Sequence, residues 1–229
     1  MSVPFALVVG AGPGVSAALA RRLGAAGFRI GLVARDEQRL AELAAPLRAE
    51  GVDAQTAAAD AGDADALTQA VDGLAREAGR LDVLHYNPSQ YRAGGATEVS
   101  ASDLLDDLAV GAAGLLTAVR AGLPHLLDRG GTVTATGSGA ADRPMRGALT
   151  LGVQKAALRA LVQGLALELT PRGVHVATVT VRGTVRPDTP FSPDAVAAAL
   201  AGLVEQTAGP REAWTTLAEL TRDGLRVLA

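Results

Sequence analysis

The sequence predicts an α/β fold built on a doubly wound parallel sheet of about seven strands, in a single domain over residues 1–229. Three observations point there. Strand-like and helix-like segments alternate along the whole chain, the pattern of crossover βαβ units. Most of the strand runs are continuous and largely apolar, as expected of strands covered on both faces. The first of them ends in a glycine-rich turn, FALVVGAGPGVS at Phe5–Ser16, which opens into a helix of small residues.

In order, Phe5–Val9 reads as a strand and Val15–Ala25 as a helix with Ala17, Ala18, Leu19, Ala20 and Leu23 along it. Arg29–Ala34 is a strand, and Glu37–Glu50 a helix with apolar positions at Leu40, Leu43 and Leu47. Val52–Ala58 is a strand, and Asp63–Gly79 a helix opened by a capping aspartate. The strand Leu81–Tyr86 leads into a loop rich in Gly, Pro and Ser at Asn87–Ala96. Ser102–Leu127 reads as one long helix, Thr132–Thr136 as a strand and Ala148–Thr170 as a second long helix. Val174–Val181 is a strand, Pro193–Glu205 a helix and Ala213–Leu217 the last strand. Right-handed crossovers between such strands give a doubly wound sheet with its ligand cleft at the carboxyl ends.

Composition narrows the function classes. A chain of 229 residues, 48% hydrophobic, is long enough for a sizeable core. A formal charge of −3 offers no general basic surface for nucleic acid. No cysteine is present, which removes disulfides, thiolate metal sites and cysteine nucleophiles. His85, His125 and His175 are dispersed without ligand spacing, so no metal is expected. Met1–Pro4 carries no signal-peptide pattern and no apolar run is long enough to span a bilayer. A cytoplasmic protein acting on a small molecule, without a membrane or nucleic-acid partner, is expected.

The glycine turn is the main chemical motif. A helix that starts on small residues presents unpaired backbone N–H groups and a positive dipole end, which suit a pyrophosphate. The spacing GxGxxG fits poorly: Gly10 and Gly12 match, but Val15 stands at the third position. The spacing Gly10-xxx-Gly14-x-Ser16 fits better, with Ser16 where a third glycine would be. In this loop the chain resembles the short-chain dehydrogenase/reductase family. The resemblance extends over LDVLHYNPS (Leu81–Ser89), GGTVTATGS (Gly130–Ser138), LGVQKAALRAL (Leu151–Leu161) and GLALELTPRGVHVATVTVRGTV (Gly164–Val185), in family order and spacing.

That resemblance implies a Rossmann-like sheet and a bound nicotinamide dinucleotide. It implies cofactor contacts at Gly10, Gly12, Gly14, Val15, Asp60, Ala61, Asn87, Lys155 and Gly183. For Asp60, in AAADAGD, a helix cap or turn is an equal alternative. At the end of the second strand, where NAD-preferring relatives carry an acid, Ala34 is followed by Arg35. An arginine there suits a 2′-phosphate and favours NADP over NAD; pairing with Asp36 on the surface is the plainer alternative.

The family's catalytic set is incomplete. Ser138 matches the serine that contacts the substrate oxygen, and Lys155 the lysine of the YxxxK motif. The tyrosine position holds Leu151 and the asparagine position holds Gly111; Arg182-Gly183 replaces the family's Pro-Gly. Leucine has no proton to exchange, so the usual acid–base step is missing at its usual place. Tyr86 and Tyr91 are the only other phenols, with Tyr91 a conceivable donor and simple packing the plainer role for both. His85 reads as a sheet-end residue rather than a base.

Three functions follow. One is an NADP(H)-dependent oxidoreductase with a non-standard proton donor, acting on a carbonyl or hydroxyl group. Another is a non-redox isomerase, cyclase or dehydratase on the same fold. The third is an inactive cofactor-binding or scaffold subunit. Arg143, Arg146, Arg182 and Arg186 would suit an anionic substrate if they converged, against the plainer reading of scattered solvated charges. The short, proline-rich Gly183–Ser192 segment implies an open pocket or one completed by a neighbouring subunit. Small residues on the two long helices (Gly111, Ala112, Ala113, Gly114, Ala156, Ala157, Ala160) would permit a homodimer or homotetramer.

Overall fold

A computed structural model describes residues 3–228; Met1, Ser2 and Ala229, which fall within the expected domain, lie outside the described residues. Eight strands form one sheet in the order β3-β2-β1-β4-β5-β6-β7-β8. They are β1 (Phe5–Val9), β2 (Arg29–Ala34), β3 (Ala54–Ala58), β4 (Val83–Tyr86), β5 (Thr132–Ser138), β6 (His175–Val181), β7 (Leu217–Thr221) and β8 (Gly224–Leu228). All neighbours pair in parallel except β7 and β8, which are antiparallel.

The helices are α1 (Val15–Ala25), α2 (Glu37–Ala49), α3 (Ala64–Ala78), α4 (Ala101–Leu108), α5 (Gly114–Leu127), α6 (Leu149–Leu169) and α7 (Pro193–Glu205). Two separate cores result, one on each side of the sheet. One gathers Leu19 and Leu23 of α1, Leu40 and Leu47 of α2 and Leu200 of α7. The other gathers Leu67 of α3, Leu115 of α5 and Val162 of α6. Strands between two such layers are buried on both faces, and every residue of β1, β4 and β6 is buried.

The sequence expectation holds for the architecture and needs three corrections. The last strand expected at Ala213–Leu217 begins at Leu217 instead; Arg211–Ala213 forms a single 3-10 turn. A further strand, β8, turns back after Thr221 through Gly224, which has φ +114°. Its residues from Leu225 to Leu228 are exposed, so it lacks the apolar burial that marks the other strands. The long helix expected at Ser102–Leu127 is interrupted at Ala109–Ala113 by a π-helical turn, the form of widened turn that is frequent at functional sites.

β1 is flanked by β2 on one side and β4 on the other, so the strand order reverses there, with all three strands parallel, and the crossovers leave on opposite faces. The crevice that opens beyond the carboxyl ends of β1 and β4 is where a doubly wound sheet binds ligands. Among the described residues no helix is long and apolar enough to cross a membrane.

Candidate functional site

The loops after β1 and β4 are locked to one another at that crevice. Gly10 sits at φ +78°, and a Cβ there would lie 2.7 Å from the ring of Pro88. Only glycine meets both demands. Ser16 Oγ donates to the Gly10 carbonyl at 2.9 Å, and Asn87 Nδ2 donates to Ser16 Oγ at 2.9 Å. Ser16 is therefore more than a small residue: its hydroxyl links the glycine turn to Asn87. Gly12 and Gly14 are open, with nothing within 4 Å of where a Cβ would stand. Helix α1 begins at Gly14 with no side-chain cap and no acidic residue in its first turn. This combination fits the pyrophosphate of a dinucleotide, because backbone can approach it closely and the helix dipole favours negative charge.

A cleft of about 820 Å³ extends from this turn, with Gly10, Arg35, Arg39, Asp60, Asn87 and Gln90 among its walls. Arg35 is largely exposed and stands 3.8 Å from the Asp60 carboxylate, a loose pair that solvent screens heavily. Asp60 Oδ1 also accepts from the Gly62 N–H at 2.8 Å, so it serves the turn after β3 while bordering the cleft. Ala61 lines the same wall. Val15 is buried in the core beneath the turn, which leaves it only backbone to offer. Arg39, in the first turn of α2, is a second guanidinium at this end that the sequence reading did not single out.

A second cleft, about 630 Å³, lies beyond β5 and β6 and is lined by Ser138, Asp142, Arg143, Arg182, Gly183 and Glu219 among others. Ser138 Oγ accepts from the Ala140 N–H at 3.2 Å, leaving its hydroxyl proton to donate elsewhere. Gly183 is packed so closely on Phe191 that a Cβ would stand 2.2 Å from that ring. Arg182 is fully engaged, paired with Glu219 and, at 2.6 Å, with Asp142, which also holds Arg159 at 2.6 Å. Arg159 first and then Arg182 draw the Asp142 carboxyl down to about 2. Of the four arginines weighed for an anionic substrate, Arg143 and Arg182 border this cleft, and Arg182 is already neutralised.

Between the clefts the interior is desolvated. Lys155 is 5% exposed and its Nζ donates to the Thr136 carbonyl at 3.0 Å. Burial lowers its pKa to about 8. His85 lies wholly inside the sheet, with Nδ1 2.9 Å from Thr134 Oγ1; burial, and then the Lys155 charge, push its pKa to about 3, so it stays neutral. Tyr86 is also wholly buried, and its hydroxyl donates to the Val110 carbonyl at 2.6 Å, in the π-helical turn. Burial, then Asp60, raises its pKa, so this phenol keeps its proton and directs it into the backbone. Tyr91 points the other way, 64% exposed on the loop after β4. Leu151 stands half-buried one helical turn before Lys155.

Gly111, in the π-helical turn, lies against a residue to which the sequence reading gave no role. Gln154 is completely buried beside Lys155, and its side chain fills the space a Cβ on Gly111 would need. A polar residue on the inward side of α6 was the one available signal. Among the described residues, no three His, Cys, Asp or Glu side chains form a cluster able to hold a metal ion.

The lowered pKa of Lys155 has a thermodynamic sign. The folded protein releases this proton near pH 8 and the unfolded chain near 10.5, so between those values unfolding takes up a proton. Stability should rise as pH increases across that window and be lowest, for this group, below it. Urea unfolding of Lys155→Met at several pH values should show that rise flattened; an identical slope in both proteins would contradict a desolvated ammonium at this position.

Residues 4–192 match the family model for short chain dehydrogenase. Over 181 residues the chain is 28% identical to 2,3-dihydro-2,3-dihydroxybenzoate dehydrogenase of Bacillus subtilis, covering 79% of this chain and 69% of that protein. It is 32% identical over 197 residues to a subunit of a substituted succinyl-CoA dehydrogenase from Thauera aromatica, covering 86% and 78%. Its fold is similar to that of a short chain dehydrogenase from Burkholderia cenocepacia solved in complex with NADP, with a TM-score of 0.85, 30% identity and 96% and 97% of the two chains covered. The matched stretch amounts to 54% to 69% of the length of three relatives. With the family match spanning most of the chain and the switch-point crevice built as such a fold requires, this protein belongs to the short-chain dehydrogenase/reductase family.

Proposed function

We propose that the protein is an NADP(H)-dependent oxidoreductase acting on a carbonyl or hydroxyl group of a small molecule. The observation that carries this reading is the 820 Å³ cleft, which opens from the glycine turn at Gly10 and Ala11 and has two guanidiniums, Arg35 and Arg39, in its wall. When bound, the nicotinamide supplies or accepts the hydride. Arg35 and Arg39 hold the 2′-phosphate through fork-shaped, charge-assisted hydrogen bonds. Gly10, Gly12, Gly14 and the backbone of Val15 carry the pyrophosphate, Asp60 and Ala61 border the adenine end, and Asn87 fixes the turn. Lys155 places a buried positive charge beside the nicotinamide ribose, and Gly183 borders the nicotinamide amide. Ser138 would donate a hydrogen bond from its hydroxyl to the substrate oxygen and so orient it in the second cleft.

The similar Burkholderia structure holds NADP, which supports the cofactor half of this reading. Replacing Arg35 with alanine should weaken NADPH binding roughly ten- to hundred-fold while leaving NADH within about three-fold, since a charge-assisted bond is lost only to the phosphate. Fluorescence titration gives both constants. Equal loss for the two cofactors would remove the 2′-phosphate assignment.

The transferred proton has no phenol at position 151. Tyr91 is the one phenol able to reach solvent, yet the cleft walls include its neighbour Gln90 and not Tyr91 itself. Solvent entering the open second cleft is the source this geometry favours. The turnover of Tyr91→Phe should then stay within about two-fold of the parent, whereas donation by Tyr91 would cost at least the ~100-fold typical of a lost general acid.

The chain assembles as a homodimer or homotetramer through α5 and α6, where Leu116 and Val153 stay 41% exposed in the single chain. Such outward apolar residues are relieved by isologous helix packing. Sedimentation at micromolar concentration should show a dimer or tetramer; monomer alone would refute this assembly.

A further inference from the structure

Gln154 is a completely enclosed polar side chain beside the clefts, at 0% exposure. Its two carboxamide atoms are spent on one peptide group pair. Oε1 accepts from the Gln90 N–H at 3.1 Å, and Nε2 donates to the Gln90 carbonyl at 2.9 Å. A glutamine side chain here does what a neighbouring strand would do, satisfying both backbone groups of a loop residue that has no strand beside it. Burial removes water as a competitor for those bonds, so losing either partner leaves a polar group unsatisfied.

The space for this contact comes from Gly111. A Cβ at Gly111 would stand 2.2 Å from Gln154 Oε1 and 2.7 to 2.8 Å from its Cγ and Cβ. Two residues further along the loop, Arg92 is tied to Asp107 at 2.9 and 3.0 Å and to Asp103 at 2.8 Å on α4. The loop after β4 is thus fixed at Gln90 from α6 and at Arg92 from α4, while Asn87 is bonded to Ser16. Asn87, Pro88, Ser89 and Gln90 form one wall of the 820 Å³ cleft.

We propose that Gln154 is a positioning residue for this cleft: its carboxamide, seated in the space left by Gly111, clamps the Gln90 peptide and so sets the wall that meets the dinucleotide. The proposal rests on the reading of that cleft as the NADP(H) site. Gln154 touches neither cofactor nor substrate and acts through the loop alone.

Two measurements on the full chain separate the clamp from the cofactor reading. In the cofactor-free protein, hydrogen exchange at the Gln90 amide should be slow, and Gln154→Leu, which keeps the volume, should abolish that protection; retained protection overturns the clamp. Fluorescence titration should show NADPH affinity lower in Gln154→Leu by on the order of ten-fold, the loss of a neutral hydrogen bond or two. Unchanged affinity in a variant that has lost the protection overturns the positioning role, because a merely structural residue would lower the melting temperature and spare the binding constant. Failure of the parent protein to bind NADPH overturns the cofactor reading and the positioning role together, while the exchange result still reports on the clamp.

If Gln154→Leu does not fold, Gly111→Ala gives the same information from the other side. Alanine is ordinarily the better helix residue, yet here it should lower both melting temperature and NADPH affinity by displacing Gln154. Adding Gln154→Ala should then produce little further loss in either quantity. Independent, additive losses would show that the two positions are not coupled and would overturn the proposal.

Discussion

The contact between Gly10 and Pro88 is the constraint on which the rest of the site depends. These residues follow β1 and β4, the parallel neighbours at which the strand order reverses, and they approach so closely that no side chain fits at Gly10. The bond series Asn87–Ser16–Gly10 then fastens the glycine turn, the start of α1 and the loop after β4 into one unit. Because β1 and β4 are buried on both faces, the strands cannot shift to relieve a change at their ends. The crevice is rigid because its floor is core.

Electrostatically the two clefts differ. The first carries two exposed guanidiniums in long pairs, Arg35 with Asp60 at 3.8 Å and Arg39 with Asp36 at 3.5 Å, which solvent screens and an anionic ligand can displace. The second has its charges paired within the protein, Arg182 with Glu219 and Asp142, and Asp142 with Arg159. That network ties the ends of β5 and β6 to α6 and β7 and, with Gly183 packed on Phe191, holds the turn after β6. Between the two clefts, Lys155, His85 and Tyr86 are buried and their titrations are displaced by desolvation above all.

Much of this was legible in the sequence where burial imposed a pattern. The continuous apolar runs marked β1, β2, β4 and β6, and the glycine turn marked the crevice. β8 escaped because an edge strand with one neighbour and exposed side chains carries no such pattern. The π-helical turn escaped because its residues, AVGAA, are small and apolar like those of the helix that follows, so the shift of register it makes leaves no mark in the composition. Gly111 shows the limit most clearly. Read alone, it is a missing polar side chain; in the fold it is room for the carboxamide of Gln154, forty-three positions away and invisible to any local motif. Leu151, by contrast, keeps its plain character in three dimensions: a half-buried hydrocarbon one helical turn before Lys155.

The fit of Gln154 against Gly111 also limits which side chains the two positions can hold together. With the glutamine in place, every residue larger than glycine at position 111 collides with it; with a side chain at 111, the glutamine has no seat. The exclusion does not rest on the carboxamide alone: a Cβ at position 111 would also stand 2.8 Å from the Cβ of residue 154, so at this helix spacing shortening the glutamine would not by itself make room for one.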